Sequence, residues 1–361
     1  MTGGDFSARL SESWQLGPLT VPNRVLLAPL AGIGNWFVRL QAKRYGAGMA
    51  VSEMVSSHAI VHRNERTCRE MLRIDPRERE AGVGGVGGLT SIQLFGEDPA
   101  TMRAAAAYVA ATGADAIDIN MGCPVPKVRK TGAGAELLAD PDRAVEVARA
   151  TVEGAAEPHP ARSGATLGGA IPVSVKLRSG LRAGDDSGFE LAHRLVAEAG
   201  VAAIGFHPRS AAVQHKGSPD YELAGALARA LPAPVIVSGG LEGAEHVRSV
   251  FRATGASAIM LARGALGNPW LFEELLGQRT GPPAPEEVVR ELHWTMARAA
   301  EHLGEERAAR YMRKFYPWYV PRLALAPHAA RELQHALLET TALAQAQRLL
   351  ERACEQLAAA A

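Results

Sequence analysis

Eight short apolar runs recur along the first three quarters of the chain, each followed by a segment rich in Ala, Leu, Glu and Arg with helical spacing. They cover residues 25–30, 49–54, 91–95, 116–120, 173–177, 203–207, 235–239 and 258–262. That alternation is the pattern of parallel strands joined by crossover helices. Eight such strands close a barrel, and the span from about residue 20 to about 275 matches the roughly 250 residues typical of that fold. The expected class is therefore α/β, a TIM (β/α)8 barrel, with a doubly wound open sheet as the alternative. The pattern changes after Gly277. Gly281-Pro282-Pro283-Ala284-Pro285 reads as a linker, and from Glu286 onward the chain shows long amphipathic helical stretches and no strand signal. The expected organisation is a barrel domain over residues 1–277, a linker over 278–285 and a smaller all-helical domain over 286–361.

Composition bounds what this barrel can be. With 361 residues, 47% hydrophobic and 21% charged, the chain is globular and large enough for both domains. Its three cysteines, Cys68, Cys123 and Cys354, are odd in number and far apart, which suits neither a disulfide framework nor a four-ligand zinc site, so no metal is expected. No apolar run approaches the roughly 20 residues that span a bilayer, and the first residues lack a basic-then-apolar leader, so a cytoplasmic protein with no membrane partner is expected. Net charge is +1, and any polyanion must be held by a local patch.

In such a barrel the functional site lies at the carboxyl ends of the strands. Nearly every run ends in usable chemistry. Pro29, Leu30 and Ala31 follow the first, Glu53 lies near the end of the second, the third carries Gln93, and the fourth ends at Asn120. Lys176 and Arg178 come from the fifth, His207 and Arg209 from the sixth, Ser238-Gly239-Gly240 from the seventh and Arg263-Gly264 from the eighth. Singly these residues are commonplace, since a lone His207 is more often a satisfied core or surface histidine and a lone Lys176 a solvated one. Their shared placement is the signal. After the fourth run, Gly122 and Pro124 stop the strand and put Cys123 on a loop tip, with Asn120 before it and Lys127 after it. A free cysteine is usually an inert small hydrophobe, but an amide and an ammonium beside it on a strand-borne loop point to a site. The glycines after the last two strands, with Arg263, suit a phosphate and imply a phosphorylated cofactor. A second glycine-rich run, Gly82-Val83-Gly84-Gly85-Val86-Gly87, matches GxGxxG literally, yet charged residues precede it and a strand follows, so it reads as a loop.

The run Asn120-Met121-Gly122-Cys123-Pro124 with Lys127-Val128, together with Leu27-Ala28-Pro29-Leu30-Ala31-Gly32, Ser52-Glu53-Met54, Gln93-Leu94-Phe95-Gly96, Val175-Lys176-Leu177-Arg178 and Gly267-Asn268-Pro269-Trp270, resembles the bacterial tRNA-dihydrouridine synthases. The resemblance spans about residues 26–319. It implies an FMN-dependent oxidoreductase that reduces the C5–C6 double bond of a tRNA uridine to 5,6-dihydrouridine, with NADPH or NADH as transient reductant. It further implies Cys123 as general acid, which requires a thiol rather than a thiolate, whereas Lys127 nearby would favour the thiolate. By the same resemblance Pro29, Leu30, Ala31, Gln93, Asn120, Lys176, His207, Ser238, Gly239, Gly240, Arg263 and Gly264 would hold FMN. Two motifs depart from the family: Ser238-Gly239-Gly240 stands where Asn-Gly-Asp is usual, and His207-Pro208-Arg209 where His-Gly-Arg is usual. The first loses side-chain contacts but keeps the backbone amides.

The resemblance also makes tRNA the partner, held by Asn120, Lys127, Arg178 and Arg209 from the barrel and by Arg310, Arg313 and Lys314 from the tail, with no protein partner and a monomer expected. Arg307, Arg310, Arg313 and Lys314 fall at helical spacing between Tyr311, Phe315 and Trp318, either as one basic, partly aromatic face or as a solvated helix with its aromatics in the core. Residues 153–170, rich in Gly, Ala, Pro and Ser, read as a surface loop. Two other classes compete: an FMN barrel oxidoreductase acting on a small molecule such as dihydroorotate, disfavoured by the helical tail, and an idle RNA-binding relative, disfavoured by the intact Cys123, Lys176 and His207.

Overall fold

Each of the eight apolar runs forms a strand: β1 (Val25–Leu27), β2 (Met49–Val51), β3 (Leu89–Phe95), β4 (Ala116–Met121), β5 (Val173–Arg178), β6 (Ala203–His207), β7 (Val235–Ser238) and β8 (Ala258–Leu261). The computed structural model describes residues 6–157 and 170–360. All neighbours are parallel, and β1 pairs with β8 as well as with β2, so the sheet closes on itself as a (β/α)8 barrel. β1 and β2 end before their apolar runs do. After β1 the chain turns, with the Leu30 carbonyl accepting from the N–H of Ile33 (3.0 Å) and Gly34 (2.7 Å), and that turn in turn receives the Glu53 N–H beyond β2. Two pieces of strand escape the sequence pattern: Val55–Ser56, which extends β3 on one side, and an antiparallel hairpin, Trp14–Leu16 with Leu19–Val21.

That hairpin explains the polarity of the barrel. Trp14, Leu16, Leu19 and Val21 pack with Leu26, Met49, Leu89, Ala116, Ala203, Ile236 and Ala258, most of them at the amino ends of strands, and form an apolar floor. Residues two apart on a strand share a face. Above the floor, therefore, the same inward face continues as Gln93 on β3, Asp118 and Asn120 on β4, Ser174 and Lys176 on β5, His207 on β6 and Ser238 on β7. The outward residues, such as Val173, Val175 and Leu177, are buried as well, which is why both faces read as apolar in sequence. The result is a polar mouth at the carboxyl ends.

The chain divides into two compact units, Met1–Gly264 with Leu275–Gly277 and Ala265–Glu274 with Gln278–Ala361. The boundary thus falls earlier than the sequence pattern suggests, because Ala265–Glu274 group with the tail. The second unit holds Pro285–Leu303, Glu305–Met312, Tyr316–Tyr319, Pro327–Glu339 and Leu343–Ala360 as helices and no strand among its described residues. Of residues 153–170, those up to Ala156 end the helix Pro141–Ala156, and 158–169 lie outside the described residues. The run 82–87 is a tight turn: Val83 and Val86 are bridged, Gly84 (φ 61°) and Gly85 (φ 78°) supply its two left-handed positions, and β3 rather than a helix follows. Among the described residues no helix is long and apolar enough to cross a membrane.

Candidate active site

A cavity of about 400 Å³ opens at the carboxyl ends of the strands, and all eight strands or the loops that follow them reach it. Pro29, Leu30, Ala31, Gln93, Asn120, Cys123, Lys176, Arg178, His207, Ser238, Gly239, Gly240, Arg263 and Gly264 all line it. Lys127 does not; it sits on the short helix Pro126–Arg129 with its side chain in solvent. Arg209 is buried outside the lining, where Nη1 lies 3.5 Å from His207 Nε2 and Nη2 donates to the Gly217 carbonyl (2.6 Å).

The thiol loop is tied down through its backbone. Asn120 Oδ1 accepts from the N–H of Gly122 (3.2 Å) and of Cys123 (2.9 Å), and the Cys123 carbonyl accepts from the Ala135 N–H (3.1 Å). Asn120 Nδ2 donates to Gln93 Oε1 (2.9 Å), and Gln93 Nε2 donates to Asp118 Oδ2 (2.6 Å). Register puts Gln93, Asp118 and Ser174 side by side on β3, β4 and β5, and Ser174 Oγ donates to Asp118 Oδ1 (2.6 Å). Cys123 itself is half-buried.

Lys176 Nζ reaches across to donate to Ser238 Oγ (3.0 Å). Burial draws its pKa down to about 8, Arg178 adding to the effect and Asp118 opposing it. Burial lifts Asp118 to about 6 even though the Ser174 and Gln93 hydrogen bonds and Lys176 pull it down. Arg178 falls to about 10, first through burial and then through Arg209, while the nearby Cys123 sulfur pulls the other way. His207 is held neutral, far below its ordinary pKa, by burial and by Lys176, Arg178 and Arg209. The charged side chains lining the cavity are Lys176, Arg178 and Arg263 against Glu242, an excess that favours an anion. Gly239 (φ 95°) and Gly240 (φ 72°) turn left-handed in succession after β7 and bring backbone free of side-chain bulk to the cavity lining. The Tyr221 hydroxyl fixes this turn by donating to the Gly239 carbonyl (2.8 Å).

The family model described as Dihydrouridine synthase (Dus) matches residues 26–359. The chain belongs to that family. The tRNA-dihydrouridine synthase B of Vibrio vulnificus is 33% identical to it over 311 residues, 85% of this chain and 89% of that protein. That of Pseudomonas aeruginosa is 34% identical over 314 residues, 86% and 87% of the two chains. Among solved structures, morphinone reductase in complex with tetrahydroNAD superposes with a TM-score of 0.50 at 20% identity, covering 77% of this chain and 93% of that one, a likeness of fold alone.

Several residues of this dihydrouridine synthase site escape the sequence pattern. Asp118 was legible in principle, being two residues before Asn120 and hence on the same inward face. Met54, Gln214, His215 and Glu242 also line the cavity, and the His215 ring stacks on His207 at 6.2 Å; they lie in loops, where no periodicity marks a direction. In the second unit the helix Glu305–Met312 stops before Arg313, so the basic and aromatic residues do not share one continuous helical face. Phe315 is buried; Arg313 Nη2 donates to the Thr340 carbonyl (2.9 Å). Arg310 is exposed and pairs with Glu306 (2.7 Å), and Lys314 lies over the Tyr311 ring (4.9 Å).

Proposed function

We propose that this chain is a tRNA-dihydrouridine synthase that adds two hydrogens across the C5–C6 bond of a tRNA uridine, with FMN in the barrel-mouth cavity, NADPH or NADH as reductant and Cys123 as proton donor. One observation carries the proposal: a chain of the dihydrouridine synthase family gathers the thiol loop, Lys176 and the Ser238-Gly239-Gly240 turn around a single cavity. The residues fit FMN. The bare backbone of the glycine turn leaves room for a phosphate, the cationic excess suits its charge, and Pro29, Leu30 and Ala31 give the aromatic ring an apolar wall.

When bound and reduced, FMN supplies the hydride equivalent for C6 of the uracil. In this assignment Gln93 would hydrogen-bond the pyrimidine edge of the ring, and Lys176 would offer a cation where negative charge gathers. His207, Ser238, Gly239, Gly240, Arg263 and Gly264 would gather round the ring edge and the phosphate. Cys123 transfers its proton to C5, the Arg178 guanidinium meets the negative charge left on sulfur, and solvent returns the proton. Asn120 borders both cofactor and base. Lys127, Arg310, Arg313 and Lys314 grip the RNA backbone, as extraction of a base from a folded RNA requires. Arg209, buried behind His207, supports that side chain.

The direct test supplies the yellow holoenzyme with unmodified tRNA transcript and NADPH, and a gain of one hydrogen molecule per reduced uridine is expected by mass spectrometry. Turnover of dihydroorotate with no change in tRNA would make the chain a small-molecule oxidoreductase instead. A second prediction follows from Lys176. An anionic ligand favours the charged lysine, so FMN affinity of the apoprotein should hold steady from neutral pH up to about 8. Above that it should weaken by about tenfold per pH unit, because one proton must then be taken up on binding. Fluorescence quenching of FMN reads the constant. Lys176→Met should bind weakly with no step near 8, and a step that survives in that variant would assign the titration to another group.

A further inference from the structure

The hydrogen bonds from Asp118 to the thiol loop have a fixed sense at every link. Backbone N–H groups only donate, so those of Gly122 and Cys123 require the oxygen of Asn120. With its oxygen turned to the loop, Asn120 offers its nitrogen to Gln93, which must answer with Oε1. Gln93 is then left with its nitrogen towards Asp118, and only an acceptor satisfies it there. An ionised carboxylate is such an acceptor, and its second oxygen is taken by the Ser174 hydroxyl. Both ends of the chain thus demand the same orientation of both amides. Reversing either amide would bring donor against donor in a buried place.

Asp118 is 2% exposed and lies outside the cavity lining, so it touches neither cofactor nor substrate. We propose that Asp118 is a positioning residue for Cys123: as the acceptor that ends this chain, it fixes the orientations of Gln93 and Asn120 and, through them, the loop that presents the thiol. The role belongs to its accepting oxygen and not to its charge.

Two variants separate those properties. Asp118→Asn keeps an oxygen for Gln93 and can turn its nitrogen to the Ser174 hydroxyl, whereas Asp118→Val removes the acceptor. The activity readout rests on the function proposed above. The Asn variant should keep kcat for tRNA reduction within about threefold of wild type, and the Val variant should lose about tenfold or more with little change in KM for tRNA, the order expected when a buried donor loses its partner. A second readout needs no turnover: alkylation of Cys123 by iodoacetamide in the oxidised holoenzyme, followed by peptide mass mapping with Cys68 and Cys354 as internal standards. The Val variant should shift the Cys123 rate several-fold relative to those two, and the Asn variant should not. Equal impairment of both variants, or a Val variant whose Cys123 reacts as in wild type, would overturn the proposal. Should the Val variant not fold, Asp118→Ala is read in the same way; if neither folds while the Asn variant does, Asp118 serves barrel stability and the proposal fails. A wild-type protein with the expected alkylation pattern but no reduction of tRNA would sink the proposed function alone.

Discussion

Replacing Cys123 by alanine should lower the rate of tRNA reduction by about 10²–10⁴-fold, the usual contribution of a positioned proton donor, and leave the protein yellow. The geometry allows such a clean outcome. The hydrogen bonds that residue 123 itself contributes to the loop use its backbone: its N–H donates to Asn120 Oδ1 and its carbonyl accepts from Ala135. Alanine keeps both, so the loop should stay where it is and only the thiol proton disappears. Arg178 gives a second signature. Its Nε donates to the Gly122 carbonyl (2.9 Å) and its guanidinium feels the Cys123 sulfur, so it is placed to receive the charge that develops when the thiol gives up its proton. A serine at position 123 would keep a proton but hold it far more tightly, and should recover only a small part of the rate. Stopped-flow reduction of the flavin by NADPH should be unchanged in both variants, because that half of the cycle does not use the thiol. Loss of flavin along with activity in the alanine variant would make Cys123 a structural residue.

The parts of this molecule that sequence discloses are those where one physical rule decides the outcome. The strands were legible because both faces of a barrel strand are buried, which writes them as short apolar runs of the right length. The hairpin at Trp14–Val21 was not, since three-residue strands joined through Gly17 and Pro18 are too short for a period to show. The cavity residues at the strand ends were legible because the fold dictates where those ends point. Asp118 shows the limit of that rule. It lies inside an apolar strand and is read as part of it, and only the pairing of β3, β4 and β5 reveals that its neighbours are Gln93 and Ser174. His215 and Glu242 depend on loop conformations that no local pattern encodes. In the tail, helical spacing from Arg307 to Trp318 suggested one helix, either with a basic, partly aromatic face or solvated with its aromatics in the core, but the helix ends at Met312 and Phe315 turns into the interior. Burial of an aromatic side chain there outweighs continuation of the helix.

Gly239→Ala should give a folded protein that has lost most of its flavin, with FMN affinity down by about a hundredfold, which corresponds to roughly 2.7 kcal/mol. Two costs combine at this position. At φ 95° a side chain pays backbone strain on the order of 1–3 kcal/mol. The added Cβ would also overlap the His207 ring. That ring has little freedom to withdraw, since it is buried, lies beside Arg209 and stacks on His215. The strain is therefore expected to be relieved by displacing the turn, which carries two cavity-lining glycines and the Gly239 carbonyl bound by Tyr221. Gly243→Ala separates the two costs. Gly243 is also left-handed, at φ 75°, but a Cβ there meets nothing within 4 Å, so it should pay the strain and keep FMN. Visible flavin absorbance per mole of protein and FMN titration of the apoproteins measure the difference. If Gly239→Ala binds FMN as tightly as Gly243→Ala, the phosphate is held by Arg263 and its neighbouring amides, and the glycine turn after β7 serves only to make room for His207.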